Sequence, residues 1–310
     1  MTPQNLHQQI PREVIRFALI ALVTITLSIV APAQGDDRSK IDDESPKALK
    51  KDAKTYTEQG NELTRSGRWV EAAEAYQKAI QLDANATAAR GNLGFAYSQL
   101  GRLREATTQF EQVIGLQPQS AVARYNLGNV YLKLNRPAEA IDQLEQAIKL
   151  EPDYSQAYND LGNAYADLGR YAEAITAMNQ ALRFSPGFAL AHANLGAIFY
   201  ELTRFEEATE CFKRVVTLKP SLAEAHYHLG LAYLGLRRGK MALESLEHAI
   251  RLDPNHARAH FQLGIAYLTV KDRAACIKQY TILRDLDPVL GAQLYSCLNA
   301  HRLRIVDRKN

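Results

Sequence analysis

Seven glycines, Gly60, Gly94, Gly128, Gly162, Gly196, Gly230 and Gly264, stand 34 residues apart without one slip. A period this strict excludes a single large globular core. It demands a small unit that buries its apolar face against copies of itself. Other columns keep the same step. Three residues after each glycine come Leu63, Tyr97, Tyr131, Tyr165, Phe199, Tyr233 and Tyr267, and twelve after it Ala72, Ala106, Ala140, Ala174, Ala208, Ala242 and Cys276. Prolines close the later units at Pro118, Pro152, Pro186, Pro220, Pro254 and Pro288, with Ala84 in the first.

Each unit holds two apolar patterns of helical spacing, parted by a break such as Leu134-Asn135-Arg136 or Leu168-Gly169-Arg170. In the fourth unit Tyr158, Leu161, Gly162, Tyr165 and Leu168 fall on one stripe, and Ala174, Met178 and Ala181 on another. The unit is therefore a helical hairpin. A mid-helix glycine costs about 1 kcal/mol against alanine. Seven of them call for close packing, which the spacing assigns to the alanine twelve residues on. The proline stops the second helix of each unit.

A stretch such as NLGNVYLKLNRPAEAIDQLEQAIKLEP, Asn126 to Pro152, resembles the tetratricopeptide repeat, and the resemblance runs from Ala53 to Leu290 with no insertion. It implies an all-α fold, a right-handed α-solenoid superhelix of seven hairpins at 53–86, 87–120, 121–154, 155–188, 189–222, 223–256 and 257–290. The apolar stripe continues at Leu294, Cys297, Leu298 and Leu303. The segment 291–310 is thus expected to be a capping helix, from Gly291 to about Leu303, and a tail. The first unit departs most from the pattern, with Gln59 and Leu63, as suits a terminal repeat with a solvated outer face.

The N-terminal residues are of a different kind. Arg12 and Arg16 precede the apolar FALIALVTITLSIV of residues 17–30, and Ala31-Pro32-Ala33 follows. This order is that of a secretory signal at 1–33, with cleavage expected between Ala33 and Gln34 and an exported, periplasmic or secreted product. The alternative is an uncleaved anchor, since the 17 residues from Phe17 to Ala33 reach the lower limit for a span. Either way the repeats lie on the non-cytoplasmic side, because the arginines precede the segment and Asp36 and Asp37 follow it. Residues 34–52 form a charged spacer and the start of the first helix, with Ser45-Pro46 as cap and first residue.

Charge and motif content narrow the function. Lysine and arginine total 37 against 34 acids, a balance of +3, with no basic block in the repeats, so nucleic-acid binding is not expected. Hydrolase, zinc-protease and phosphate-loop motifs are missing from the sequence, so neither an enzyme nor a cofactor is expected. His192, His226 and His260 recur four residues before successive glycines, in a column that elsewhere holds Tyr56 and Tyr158. Such a column reads as packing; too few ligands converge there for a metal. Cys276 and Cys297 fall in buried columns, with a disulfide between them left open, and Cys211 is expected on an outer surface.

What remains is binding. Helical arithmetic sets three residues of each first helix opposite the packing stripe, at three before, one after and four after the glycine. These columns turn from polar to apolar along the chain. Their apolar end, Tyr200, Tyr227, Leu231, Leu234, Phe261, Ile265 and Leu268, is the expected principal site. Two residues before the glycine, Asn92, Asn126 and Asn194 resemble the asparagine ladder of the repeat superhelix in O-linked N-acetylglucosamine transferases, where amides hold a peptide backbone; Asp160 interrupts it. The first groove column contains no Lys or Arg, unlike carboxylate-clamp domains. The expected function is an exported adaptor that binds a protein or peptide segment. The alternatives are a self-associating structural protein or a regulatory subunit of a glycosyltransferase or polymer-export complex.

Overall fold

The computed structural model describes residues 46–307, with side chains described for 48–300. The signal segment, its cleavage point and the Ser45 cap lie outside the described residues. Those residues form two compact units that meet in sequence between Phe184 and Ser185. The first holds α1 Pro46–Arg65, α2 Trp69–Leu82, α3 Thr87–Gln99, α4 Leu103–Leu116, α5 Ala121–Lys133, α6 Pro137–Leu150, α7 Ser155–Asp167 and α8 Tyr171–Phe184. The second holds α9 Ala189–Glu201, α10 Phe205–Leu218, α11 Ala223–Gly235, α12 Gly239–Leu252, α13 Ala257–Thr269, α14 Arg273–Leu286 and α15 Pro288–Asp307. All described elements are helices, stacked as hairpins of the α-solenoid class. Among the described residues no helix is long and apolar enough to cross a membrane.

The period is written into the packing. A Cβ built on Gly162 would lie 2.7 Å from Met178 Cγ, and one on Gly128 2.8 Å from Leu144 Cγ. The side chain that excludes it is therefore the one sixteen residues on, not the alanine twelve on. The alanine contributes its backbone: Ala174 O would be 3.2 Å from the added atom and Ala140 O 3.4 Å. With no side chain beyond Cβ, the alanine admits the first helix close enough for this contact.

Each hairpin turns through one left-handed residue. Glycine takes it at Gly67, Gly101 and Gly169, but Asn135 (φ 57°), Thr203 (φ 58°), Arg237 (φ 56°) and Lys271 (φ 64°) take it elsewhere. The arginine that follows the turn does double duty. Arg102, Arg136, Arg170 and Arg204 lie 4.3 to 4.8 Å from the ring centroids of Tyr97, Tyr131, Tyr165 and Phe199. Each also pairs with the glutamate three residues on, Glu105, Glu139, Glu173 or Glu207. These glutamates stand in the first turns of the second helices, where negative charge offsets the helix dipole. The tyrosine hydroxyls join successive repeats: Tyr165 donates to Glu145 Oε1 at 2.6 Å and Tyr267 to Glu247 Oε1 at 2.9 Å.

The cap differs from expectation in its ends. α15 starts at Pro288 rather than Gly291 and runs to Asp307 rather than about Leu303. Asp287 explains the early start, since its Oδ1 accepts from Val289 N and Leu290 N at 3.0 Å each, with proline at the first helical position. Leu294 is fully buried and fills the space over Gly264, and Leu268, Cys276, Leu283 and Leu298 complete that core. Arg273 Nη1 donates to Leu298 O at 2.7 Å and ties the cap to the last hairpin.

Candidate binding face

The inner face consists of the side of each first helix turned away from its own hairpin partner. In the second unit this face is largely covered. Tyr227 and Leu231 are each 3% exposed, and Leu234 and Leu268 are also buried; Tyr200, Phe261 and Ile265 are half-buried. Of the seven residues expected to form an open apolar patch, four are covered and three keep part of their surface accessible. Large apolar side chains are driven out of water, and Tyr227 meets the His256 ring at 4.9 Å and the Arg258 guanidinium at 5.4 Å. Burial pushes the hydroxyl pKa of Tyr227 up, and that of Tyr200 to about 12.

Beside Tyr227 lies a charged junction that the sequence reading missed. Glu224 of α11 accepts from Arg258 Nη2 at 2.7 Å and lies 3.3 Å from His256 Nε2, both from the start of α13. These groups border a shallow open pocket of about 370 Å³. His228 Nε2 is 3.9 Å from Glu224 and has no hydrogen bond. Burial lowers its pKa from 6.5 to about 4, against the opposing pull of the Glu224 charge.

In the first unit the inner face stays accessible. Phe95 is 41% exposed, and Tyr125, Asn126, Asn129, Leu132, Asp160 and Asn163 are half-buried. The asparagine column does not act as one ladder. Residues of this column reach back to the residue just after the preceding glycine: Asn92 Nδ2 donates to Asn61 Oδ1 at 2.7 Å, and Asp160 accepts from Asn129. Asn92 is therefore engaged within the fold. For Asn126 the equivalent position holds Phe95, which has no polar atom to offer, and neither the Asn126 nor the Asn163 amide has a side-chain hydrogen bond among the described residues. Asn194, in the second unit, is half-buried and engaged.

Asp160 is set deepest into this face. Its carboxylate accepts from Asn159 Nδ2 at 2.9 Å, from the Tyr125 hydroxyl and from Asn129. Burial raises its pKa, and the three hydrogen bonds oppose the rise. The Tyr125 and Tyr154 rings stand 4.8 Å apart at 40°, and burial pushes Tyr154 to about 12.

The histidine column has a structural task. The Nε2 atoms of His192, His226 and His260 donate to the carbonyls of Pro186, Pro220 and Pro254 at 3.0, 2.9 and 3.0 Å. Arg90 and Arg124 give the same bond to Ala84 O and Pro118 O. The column therefore ties each first helix to the turn before it. The cysteines are free thiols. Cys211 is not on the outer surface: it is half-buried with its Cβ 3.1 Å from the Cβ position of Gly196, and burial lifts its pKa to about 11.

Stacked helical hairpins with small residues at the crossing and an accessible inner face define a helical repeat protein of the protein-interaction class. Tetratricopeptide repeat models match residues 86–151, 125–187 and 223–256, and a TPR repeat model matches 60–101 and 198–236. The chain belongs to the tetratricopeptide repeat family, a fold that implies protein or peptide partners. No curated protein matches it. Among solved structures it is similar to MamA 41-end from Desulfovibrio magneticus RS-1, at 27% identity over 55% of this chain and 96% of that one, with a TM-score of 0.52. It is likewise similar to YrrB, described as a TPR protein with an unusual peptide-binding site, at 26% identity over 60% and 96% of the two chains and a TM-score of 0.50. PilF of Pseudomonas aeruginosa shares the fold, at 19% identity over 68% and 97% of the chains and a TM-score of 0.60.

Proposed function

We propose that this chain is an exported, non-enzymatic scaffold that holds an extended segment of a partner protein along the inner face of α3, α5 and α7. The observation that carries this reading is the pair of unengaged amides, Asn126 and Asn163, set on a face that also presents the Phe95 ring. An amide both donates and accepts, so it can bond a peptide backbone whatever its sequence. An accessible aromatic ring supplies the apolar anchor that such contacts depend on. The likeness to YrrB, whose description names a peptide-binding site, supports the same use.

Export rests on the order of charged, apolar and small residues before Gln34. Edman sequencing of the protein from its native host is expected to start at Gln34; a start before Phe17 in the membrane fraction replaces export by anchoring. For the scaffold itself, a photo-reactive benzophenone side chain in place of Asn163 is expected to cross-link a partner in the host envelope. The same group in place of the exposed Asp142 on α6 is expected to stay silent. Cross-links from Asp142 but not from Asn163 refute the inner face as the site, and a product made of two copies of this chain turns the reading to self-association.

A further inference from the structure

On the inner face of the first unit, the neighbours of Asp160 leave its charge without a counter-ion. Three neutral groups, Asn159, Tyr125 and Asn129, hold the carboxylate in place. Among the described residues no lysine, arginine or histidine pairs with it. Neither basic side chain of α5 pairs with it: Lys133 Nζ donates to Ser98 Oγ at 2.8 Å, elsewhere on the same face, and Arg124 donates to Pro118 O at 3.1 Å. Helix α7 itself has neither lysine nor arginine. A carboxylate drawn this far from water is costly unless it is paired. The column does not require it, since asparagine stands at the same place in Asn92, Asn126 and Asn194.

We propose that Asp160, walled by the Tyr125 and Tyr154 rings, is a recognition site for a cationic side chain, arginine or lysine, of the bound segment. The site rests on the reading of this face as a peptide-binding surface and names the residue class it selects. Three properties fit it to a cation. Asp160 as a residue is only half-buried while its carboxylate lies deep enough for burial to be the largest influence on it, so a guanidinium or ammonium that enters from the face loses part of its water on reaching it. The Tyr125 and Tyr154 rings pack 4.8 Å apart and both hydroxyls feel the Asp160 charge, so a guanidinium bound there would lie beside aromatic groups, which favour a flat cation. The three existing hydrogen bonds fix the carboxylate in advance, so little order is lost when the cation arrives. Because burial alone raises the pKa of Asp160, a bound cation is expected to lower it again and release protons near the acidic end of the range.

The test uses the folded chain from Gln34 onward and two peptides, acetyl-Gly-Ser-Arg-Ser-Gly-amide and its citrulline counterpart, which keeps the shape and loses the charge. Calorimetry is expected to give about 10- to 100-fold tighter binding of the arginine peptide at low salt, as a charged hydrogen bond supplies, with the preference shrinking as salt rises. Asp160→Asn is expected to erase the preference while leaving the melting temperature close to the parent. Carbon-detected NMR of the Asp160 carboxylate is expected to report a lower pKa with the arginine peptide alone. Equal affinity for both peptides, or a preference that survives Asp160→Asn, overturns the cation site and leaves the peptide-binding face standing. Failure of both peptides to bind also overturns it, and cross-linking from position 163 then decides the wider reading by itself.

Discussion

Replacing Gly162 and Gly91 by alanine, one at a time, separates two effects that glycine ordinarily confounds. Both lie inside helices, α7 and α3, so each substitution recovers about 1 kcal/mol of helix propensity. Nothing lies within 4 Å of a Cβ on Gly91, and that variant should keep the whole gain. A Cβ on Gly162 would meet Met178 Cγ at 2.7 Å and Ala174 O at 3.2 Å. Met178 is fully buried, so its side chain has little room to retreat, and the alanine carbonyl belongs to a helix. Overpacking of this kind costs about 1–3 kcal/mol. After the propensity gain, Gly162→Ala should be neutral to about 2 kcal/mol destabilising, and the two variants should differ by about 1–3 kcal/mol. Because repeat arrays unfold in parts, the assay is native-state hydrogen exchange alongside urea melting, with the lost protection in the first unit confined to α7, α8 and the α5–α6 hairpin before them. Gly162→Ala that stabilises as much as Gly91→Ala would refute the close approach as the reason for the glycine column.

Three further outcomes are expected. Thr203 is β-branched at φ 58°, a left-handed conformation that costs such residues about 1–2 kcal/mol; Thr203→Gly should raise the urea midpoint by the equivalent of about 0.5–1 kcal/mol once glycine's extra unfolded entropy is deducted, and a lower midpoint would contradict it. The folded pKa of His228, about 4, lies below the unfolded 6.5, so the unfolded chain takes up the proton first as pH falls. Stability present above pH 6.5 is then lost towards pH 4, by about 3 kcal/mol in all; His228→Asn should flatten this part of the pH–stability curve, and an unchanged slope would point to other groups. Burial also holds the Cys211 and Cys276 thiols at about 11, so both should resist iodoacetamide at pH 8 until urea is added; prompt alkylation of the native protein would show that they are less shielded than the structure places them.

The repeat, its hairpin form and its register were legible in the sequence, because stacking one unit on the next imposes the same steric demand every 34 residues. Gly162 must meet a neighbouring helix in every copy, and a demand made seven times leaves a column. Even the left-handed turn had its mark in Gly67, Gly101 and Gly169, though Thr203 and Lys271 meet the same need without one. What an outward-facing side chain does was not legible, because nothing in the period constrains it. Helical arithmetic placed Leu231 and Asn129 at equivalent positions, yet one is buried and the other half-buried. Asn92 and Asn126 share a column, but Asn61 engages the first and Phe95 offers the second no polar atom. Those outcomes depend on which residue the preceding repeat brings across, about 31 positions earlier in the Asn92–Asn61 pair. Such pairings exist only once the helices have stacked, and they turned the accessible face from the apolar repeats of the second unit to the amides, rings and carboxylate of the first.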